Sequence, residues 1–333
     1  MNDISNKLEL LSPAGSLECA KAAIDAGADA IYMGGAKFSA RAFAKSAEEN
    51  SIIDAIKLAK SSGKRFYLTV NTLFKQKELK EIFLYLDPIV KAGVDAFIVQ
   101  DLGVAKLLKE NYENVELHAS TQMTITSSKA VNLIKNPGFT QLVLARELSI
   151  KEIKEIKKEV GDDIKLEAFV HGSMCYSYSG ACLMSSFIGG ESGNRGRCKG
   201  PCRLPYNLSR RGEHCEPAPY ILSMKDMCAL NSLSGLVNAG VSSFKIEGRM
   251  RQADYVAGVT KTYRKYLDAI VGADTIRQHR RGERLRSPNR TGELREPDIK
   301  KDEKYLLELY NKGGFTNYYD KHNDTTMIQR YER

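Results

Sequence analysis

A chain of 333 residues, with 50 basic against 41 acidic side chains, a net charge of +9 and no tryptophan, is long enough for one large α/β barrel or two smaller domains. No apolar run nears the roughly 20 residues of a membrane helix, and the start MNDISNKLEL lacks a leader's apolar stretch, so a membrane partner is excluded and a cytoplasmic setting is expected. The basic excess leans towards an anionic partner such as RNA without specifying one.

In chain order, short β-like runs alternate with helical patterns. A strand at 8–11 leads through the turn SPAG into a helix at 16–26, where Ser16 suits the N-cap and Cys19 the core. Further strands are expected at 30–33, 66–70, 96–99, 116–119, 141–144, 166–170 and 243–246. Between them, stretches such as LKEIFLYLDPIVKAG and SIKEIKEIKKEVG carry the 3.6-residue apolar period of surface helices. The phrases AGADA, AGVDA and AGVSS precede three of the strands, as helix-ending glycines would. Eight strands, mostly followed by helices, predict a (β/α)8 TIM-type barrel; a doubly wound open sheet is the alternative. The barrel is expected over residues 1–270, with a cysteine-rich insert at 172–225 after the seventh strand and an arginine-rich linker and tail over 271–333. Neither GxGxxG nor GxxxxGK[ST] occurs, which removes the usual nucleotide-binding loops.

The insert holds the most telling pattern. Cys175, Cys182, Cys198 and Cys202 fall within 28 residues, spaced x6, x15 and x3, in the glycine-rich run HGSMCYSYSGACLMSSFIGGESGNRGRCKGPCR. In a chain without a secretory leader, clustered thiols read as ligands of a soft metal or an iron–sulfur cluster. Lys199, Arg195, Arg197 and Arg203 are placed to offset the charge of four thiolates. Spacing alone leaves zinc and an iron–sulfur cluster both open: Cys198 and Cys202 suit zinc, Cys175 and Cys182 do not. Of the remaining cysteines, Cys228 is the one rival ligand.

In a barrel, functional groups gather at the C-terminal ends of the strands. There the chain places Asn71, Gln100, Asp101, His118, Ser120, Gln122, Arg146, Glu147, His171, Lys245, Glu247 and Arg249, residues that are costly to bury without a purpose. Arg146, Lys245 and Arg249 suit carboxylate contacts to a small acidic co-substrate. His118, His171, Glu147 and Glu247 suit proton transfer, and Gln122 completes the expected catalytic set.

At these residues the chain resembles the peptidase U32 family. The segment EAFVHGSMCYSYSGACLMS has the Glu, Phe, Gly, Cys, Gly, Cys and Ser of that family's diagnostic motif at matching spacings. Further likeness lies in LLSPAGS, HASTQMT, GNRGRCKGPCRLPY and SSFKIEGRM, across residues 8–270, and in GGFT at 313–316. The phrases HASTQMT, CRLPY and KIEGR look most like the branch that forms 5-hydroxycytidine in 23S ribosomal RNA; branches acting on tRNA uridine and collagenase-like peptidases are the alternatives. The resemblance implies a barrel-based RNA hydroxylation protein with a [4Fe-4S] cluster on Cys175, Cys182, Cys198 and Cys202, zinc being the alternative, and a dispensable Cys228. It also implies prephenate or a similar dicarboxylate as co-substrate. Nothing in the chain resembles HExxH or a serine-protease triad, so proteolysis lacks its usual apparatus.

Two features depart from that branch. Its longer members continue into a further domain, so an accessory protein or a missing C-terminal domain is expected to contribute RNA specificity. Residues 274–297 hold seven arginines in a chain that otherwise prefers lysine, which suits either a solvated linker or a phosphate-contacting arm.

Overall fold

The computed structural model describes residues 8–40, 48–135, 137–207, 209–210, 213–214, 220–282, 296–316 and 319. Eight parallel strands close into a barrel: β1 (Glu9–Pro13), β2 (Ala30–Gly34), β3 (Arg65–Val70), β4 (Ala96–Val99), β5 (Glu116–Ala119), β6 (Phe139–Val143), β7 (Lys165–Gly172) and β8 (Val241–Ile246). Each pairs with the next, and β8 lies between β7 and β1, so no edge is left among them. That closure rules out the doubly wound sheet. All eight expected strands form within a few residues of their predicted places.

Local chemistry accounts for the connections. The first helix, α1 (Leu17–Asp25), starts where the Ser16 hydroxyl accepts the Cys19 amide at 3.2 Å. The helix at Ile150–Val160 carries a capping box between Ser149 and Glu152 and buries Ile153, Ile156 and Val160 in the core. Gly27, Gly93 and Gly240, the glycines of the three repeated phrases, have φ of +96°, +98° and +93°, the left-handed turn that feeds a helix into the following strand.

The chain beyond the barrel departs from the expected boundary. Residue 270 lies inside one helix, Ala253–Gly282, rather than at a domain end. A further helix, Glu296–Leu309, packs on it with Leu306 fully buried, and the short strand Phe315–Thr316 pairs with Asp226–Cys228, itself antiparallel to β7. Burial of apolar side chains thus joins 296–316 to the barrel. Of the arginine-rich stretch, 283–295 lies outside the described residues. Among the described residues no helix is long and apolar enough to cross a membrane.

Candidate functional site

Residues two apart on a strand share a face, so the closed barrel turns alternate side chains inward. At the C-terminal mouth, Tyr32, Thr69, Phe169 and Lys245 floor a cleft of about 250 Å³. Its roof is the excursion after β7, and Cys175, Cys182, Cys198 and Cys202 all line it. Cys175 and Cys198 are exposed, Cys182 and Cys202 half-buried.

The excursion is clamped to the barrel at several points. The Glu147 carboxylate accepts the Ser179 amide at 2.9 Å and its hydroxyl at 3.1 Å, while the Thr124 hydroxyl donates to the Ser179 carbonyl at 2.6 Å. Gly180 has φ +80°, and a Cβ there would stand 2.0 Å from the Gln122 carbonyl oxygen, so only glycine lets the two backbones meet. Farther on, Arg195 grips Glu78 through two N–H groups at 2.8 and 2.5 Å, and this bond holds the Glu78 carboxyl down to about 2. Arg203 donates to the Ser223 hydroxyl and to the carbonyls of Met224 and Met174.

These bonds revise the roles expected for the cations of the insert. Arg195 and Arg203 staple it in place, and Arg197 lies 3.5 Å from Glu191. A cation hydrogen-bonded to a thiol comes from the barrel: Arg146 donates to the Cys175 sulfur at 3.3 Å and to the Ser173 carbonyl at 2.7 Å. Burial opposes its charge, yet Cys175, Glu247 and Glu147 hold its pKa above the ordinary arginine value. Burial raises the Cys202 thiol; Arg203 opposes that rise, and the thiols of Cys175, Cys198 and Cys182 add to it. Cys202 therefore lies within electrostatic reach of the other three thiols.

That convergence is the test of whether the expected group fits. Among the described residues no set of three or more Cys, His, Asp or Glu could hold a single metal ion. Four thiols line one cleft, with a buried guanidinium on one of them, which is the soft donor set that an iron–sulfur cluster would need. Cys228 does not line the cleft: it is buried on the strand Asp226–Cys228 paired with β7, beside Tyr263, and burial pushes its thiol up to about 12.

The remaining expected residues divide. Gln122, Glu247, Arg249, Asn71 and Ser120 line the cleft with Arg146 and Lys245. Arg249 donates to the hydroxyls of Ser39 at 2.9 Å and Thr69 at 2.8 Å and stands over the Tyr32 ring, whose hydroxyl lies 3.4 Å from a Glu247 oxygen. Lys245 is committed to a buried ion pair with Glu167 at 2.7 Å, above the Tyr32 ring. Asp101 is the N-cap of the helix Leu102–Asn111, and Gln100 donates to the Gln122 carbonyl.

Neither histidine lines the cleft. His118 lies deep in the barrel, with its ring nitrogen 3.1 Å from Glu116 and its face against Tyr67. His171 points outward from β7 into an aromatic nest of Tyr255, Tyr263 and Phe315. His118 shares its strand face with Ser120 but sits one layer deeper inside the barrel, and the register shift between β7 and β8 at Phe169–His171 turns His171, which simple alternation would put on the face of Phe169, towards the helical layer. Glu147 serves the Ser179 clamp. The sequence reading passed over Tyr32, Thr69, Phe169 and Glu167, because inward strand positions look like ordinary core; a carboxylate amid the apolar run LEAFV was the available signal for Glu167.

Burial lowers the His171 imidazole to about 3. The unfolded chain, with a pKa near 6.5, takes up a proton that the folded chain refuses, so folding stability should fall as pH drops below about 6.5. Between pH 7.5 and 5.0, His171 alone should account for about 2 kcal/mol of that loss. Urea unfolding at the two pH values should show the loss, reduced by about that amount in His171→Gln; an equal loss in the variant would remove the assignment.

The family profile described as Peptidase family U32 matches residues 15–326. The chain belongs to this family. Among U32 and related proteins, it is 41% identical over 268 residues to the 23S rRNA 5-hydroxycytidine C2501 synthase of Escherichia coli, covering 80% of this chain and 40% of that protein. It is 38% identical over 275 residues to tRNA hydroxylation protein P1 of Bacillus subtilis, covering 80% and 64%. It is 39% identical over 275 residues to an uncharacterized protease of Methanocaldococcus jannaschii, covering 79% and 66%. The chain thus spans two-fifths to two-thirds of the length of these relatives.

Proposed function

We propose that this U32 chain is an iron–sulfur-dependent RNA hydroxylation protein of the cytoplasm, forming 5-hydroxycytidine in 23S ribosomal RNA. The observation that carries the reading is the junction of four thiols and a cationic cleft at one barrel mouth. The names borne by two of the three relatives support RNA hydroxylation, and one of them specifies 5-hydroxycytidine in 23S rRNA. Cys175, Cys182, Cys198 and Cys202 would hold a [4Fe-4S] cluster. When bound, it would supply the electron transfer or oxygen activation that acid–base side chains lack.

The chain's own residues prepare the cleft. Arg146, anchored on Ser173, donates to the Cys175 sulfur and balances charge there. Arg249, held by Ser39 and Thr69 and set over Tyr32, presents a guanidinium to a small acidic co-substrate such as prephenate or a similar dicarboxylate. Lys245 gives that ligand a positive floor from within its ion pair, in place of the direct contact its charge first suggested. Glu247 is the carboxylate positioned to move a proton, and Gln122 offers an amide.

A cysteine peptidase is the less favoured reading. Its nucleophile needs a base within hydrogen-bond reach, whereas Cys175 meets Arg146 and both central histidines face away from the cleft. Deleting the gene should remove one oxygen mass from a single cytidine in 23S ribosomal RNA fragments. The intact chain should restore it, and Arg249→Ala, equally well folded, should fail to. Intact ribosomal RNA together with a lost hydroxyuridine in tRNA would move the protein to the tRNA branch; no change in either RNA would defeat the proposal.

A further inference from the structure

Large hydrophobic side chains are unevenly exposed in this molecule. Of twelve such residues exposed among the described residues, six lie in the cysteine excursion: Tyr176, Tyr178, Leu183, Phe187, Ile188 and Leu204. Solvent does not favour such a concentration, which marks a surface that meets something. Tyr176, Tyr178 and Phe187 are 53%, 61% and 84% exposed, and three of the four exposed aromatic rings thus stand in one segment.

The backbone beneath the two tyrosines is held rigidly. Ser179, next to Tyr178, is buried under the clamps from Glu147 and Thr124, and Gly180 abuts the Gln122 backbone. Cys175 adjoins Tyr176, and both tyrosines line the same cleft as the four thiols. A loop pinned from below while its rings face outward is prepared for a ligand rather than left loose. The segment from Ser173 to Tyr206 also carries Arg195, Arg197, Lys199 and Arg203; ion pairs with Glu78 and Glu191 take up Arg195 and Arg197, and the charge of Lys199 and Arg203 leaves the segment net positive, which suits an anionic partner.

We infer that Tyr176 and Tyr178, with Phe187 exposed farther along the same excursion, form a stacking platform for single-stranded RNA, over which one unpaired or extruded base enters the cleft. The inference rests on the RNA reading above and adds the form of the RNA. Bases in an A-form duplex offer only their edges, and duplex grooves do not present a base face to a concave site. Aromatic rings at the lip of a cleft recognise the faces of unpaired bases, with little regard to sequence, while neighbouring cations track the phosphates. A protein-docking patch would have no reason to continue into the thiol-lined cleft.

The test is fluorescence anisotropy of the purified full chain with a labelled single-stranded oligonucleotide and with the same strand fully paired. The single strand should bind at least tenfold more tightly. Tyr176→Ala and Tyr178→Ala should each weaken it about 5- to 100-fold, with Phe187→Ala at the lower end. Tyr176→Phe and Tyr178→Phe should retain affinity, since the ring remains. The salt dependence should keep its slope in the alanine variants, because stacking releases no counterions. Leu84→Ala, at an equally exposed site on the helix Ile82–Lys91, should change nothing.

Equal affinity for the paired strand, or unchanged binding by alanine variants with a native circular dichroism spectrum, would overturn the platform. So would unchanged RNA binding accompanied by loss of self-association in Phe187→Ala, which would assign the patch to a protein contact. This assay is independent of the gene deletion: tyrosine-dependent binding with unaltered RNA modification would sink the hydroxylation reading and leave the platform standing.

Discussion

Serine at any one of Cys175, Cys182, Cys198 or Cys202 should lower the iron retained by anaerobically prepared protein tenfold or more, and Cys228→Ser should leave it unchanged. The thiolate is the ligand, and a hydroxyl of nearly the same size is a poor one for iron in such a centre, so the change removes binding without disturbing packing. Cys228 is the internal control, being sealed against Tyr263 away from the cleft. Arg146→Ala should also lower iron, by roughly 10- to 100-fold in affinity, the scale found when a residue supporting a ligand is removed. That expectation comes from its bond to the Cys175 sulfur and replaces a purely substrate-binding role. The checks are iron and sulfide analysis with the visible absorbance of the brown protein. Stoichiometric zinc without sulfide would exclude the cluster.

Breaking the Lys245–Glu167 pair should be the most damaging single change to the fold. Both side chains are almost wholly buried, and the Glu167 carboxylate also takes hydrogen bonds from Gln141 and Ser243. Neutralising one partner leaves the other charge without its counterpart in the barrel core, which costs about 3–5 kcal/mol. Glu167→Gln and Lys245→Met should each lower stability by that amount. The double variant should recover to within about 2 kcal/mol of the parent, because removing both charges also removes their desolvation penalty. Denaturant unfolding of the four proteins forms the cycle. Small, additive losses would mean that the pair contributes little and that Lys245 is open to a ligand.

The two results bear on different parts of one site. The thiol rim belongs to an excursion outside the barrel; the ion pair belongs to the barrel floor, and its loss removes the support on which Tyr32, Phe169 and Lys245 are arranged. Measuring iron in the floor variants and stability in the cysteine variants separates these parts.

What the sequence by itself determined is whatever local periodicity and chemical type can encode. Eight strand-forming runs, the helix-ending glycines Gly27, Gly93 and Gly240 and the Ser16 cap depend on neighbours within a few residues, and the four cysteines lie within one 28-residue stretch, so all were legible. Only the tertiary structure decided which way a side chain faces. His118 and His171 stand near strand ends as expected, yet His118 lies one layer below Ser120 inside the barrel, and a register shift between β7 and β8 turns His171 into the aromatic layer. Charge pairing was likewise invisible: Glu167 and Lys245 are 78 residues apart, Arg195 and Glu78 are 117, and Arg146 and Cys175 are 29. Closing the barrel between β7 and β1 brings these groups together, and that closure follows from the sum of the core's packing rather than from any segment of the chain.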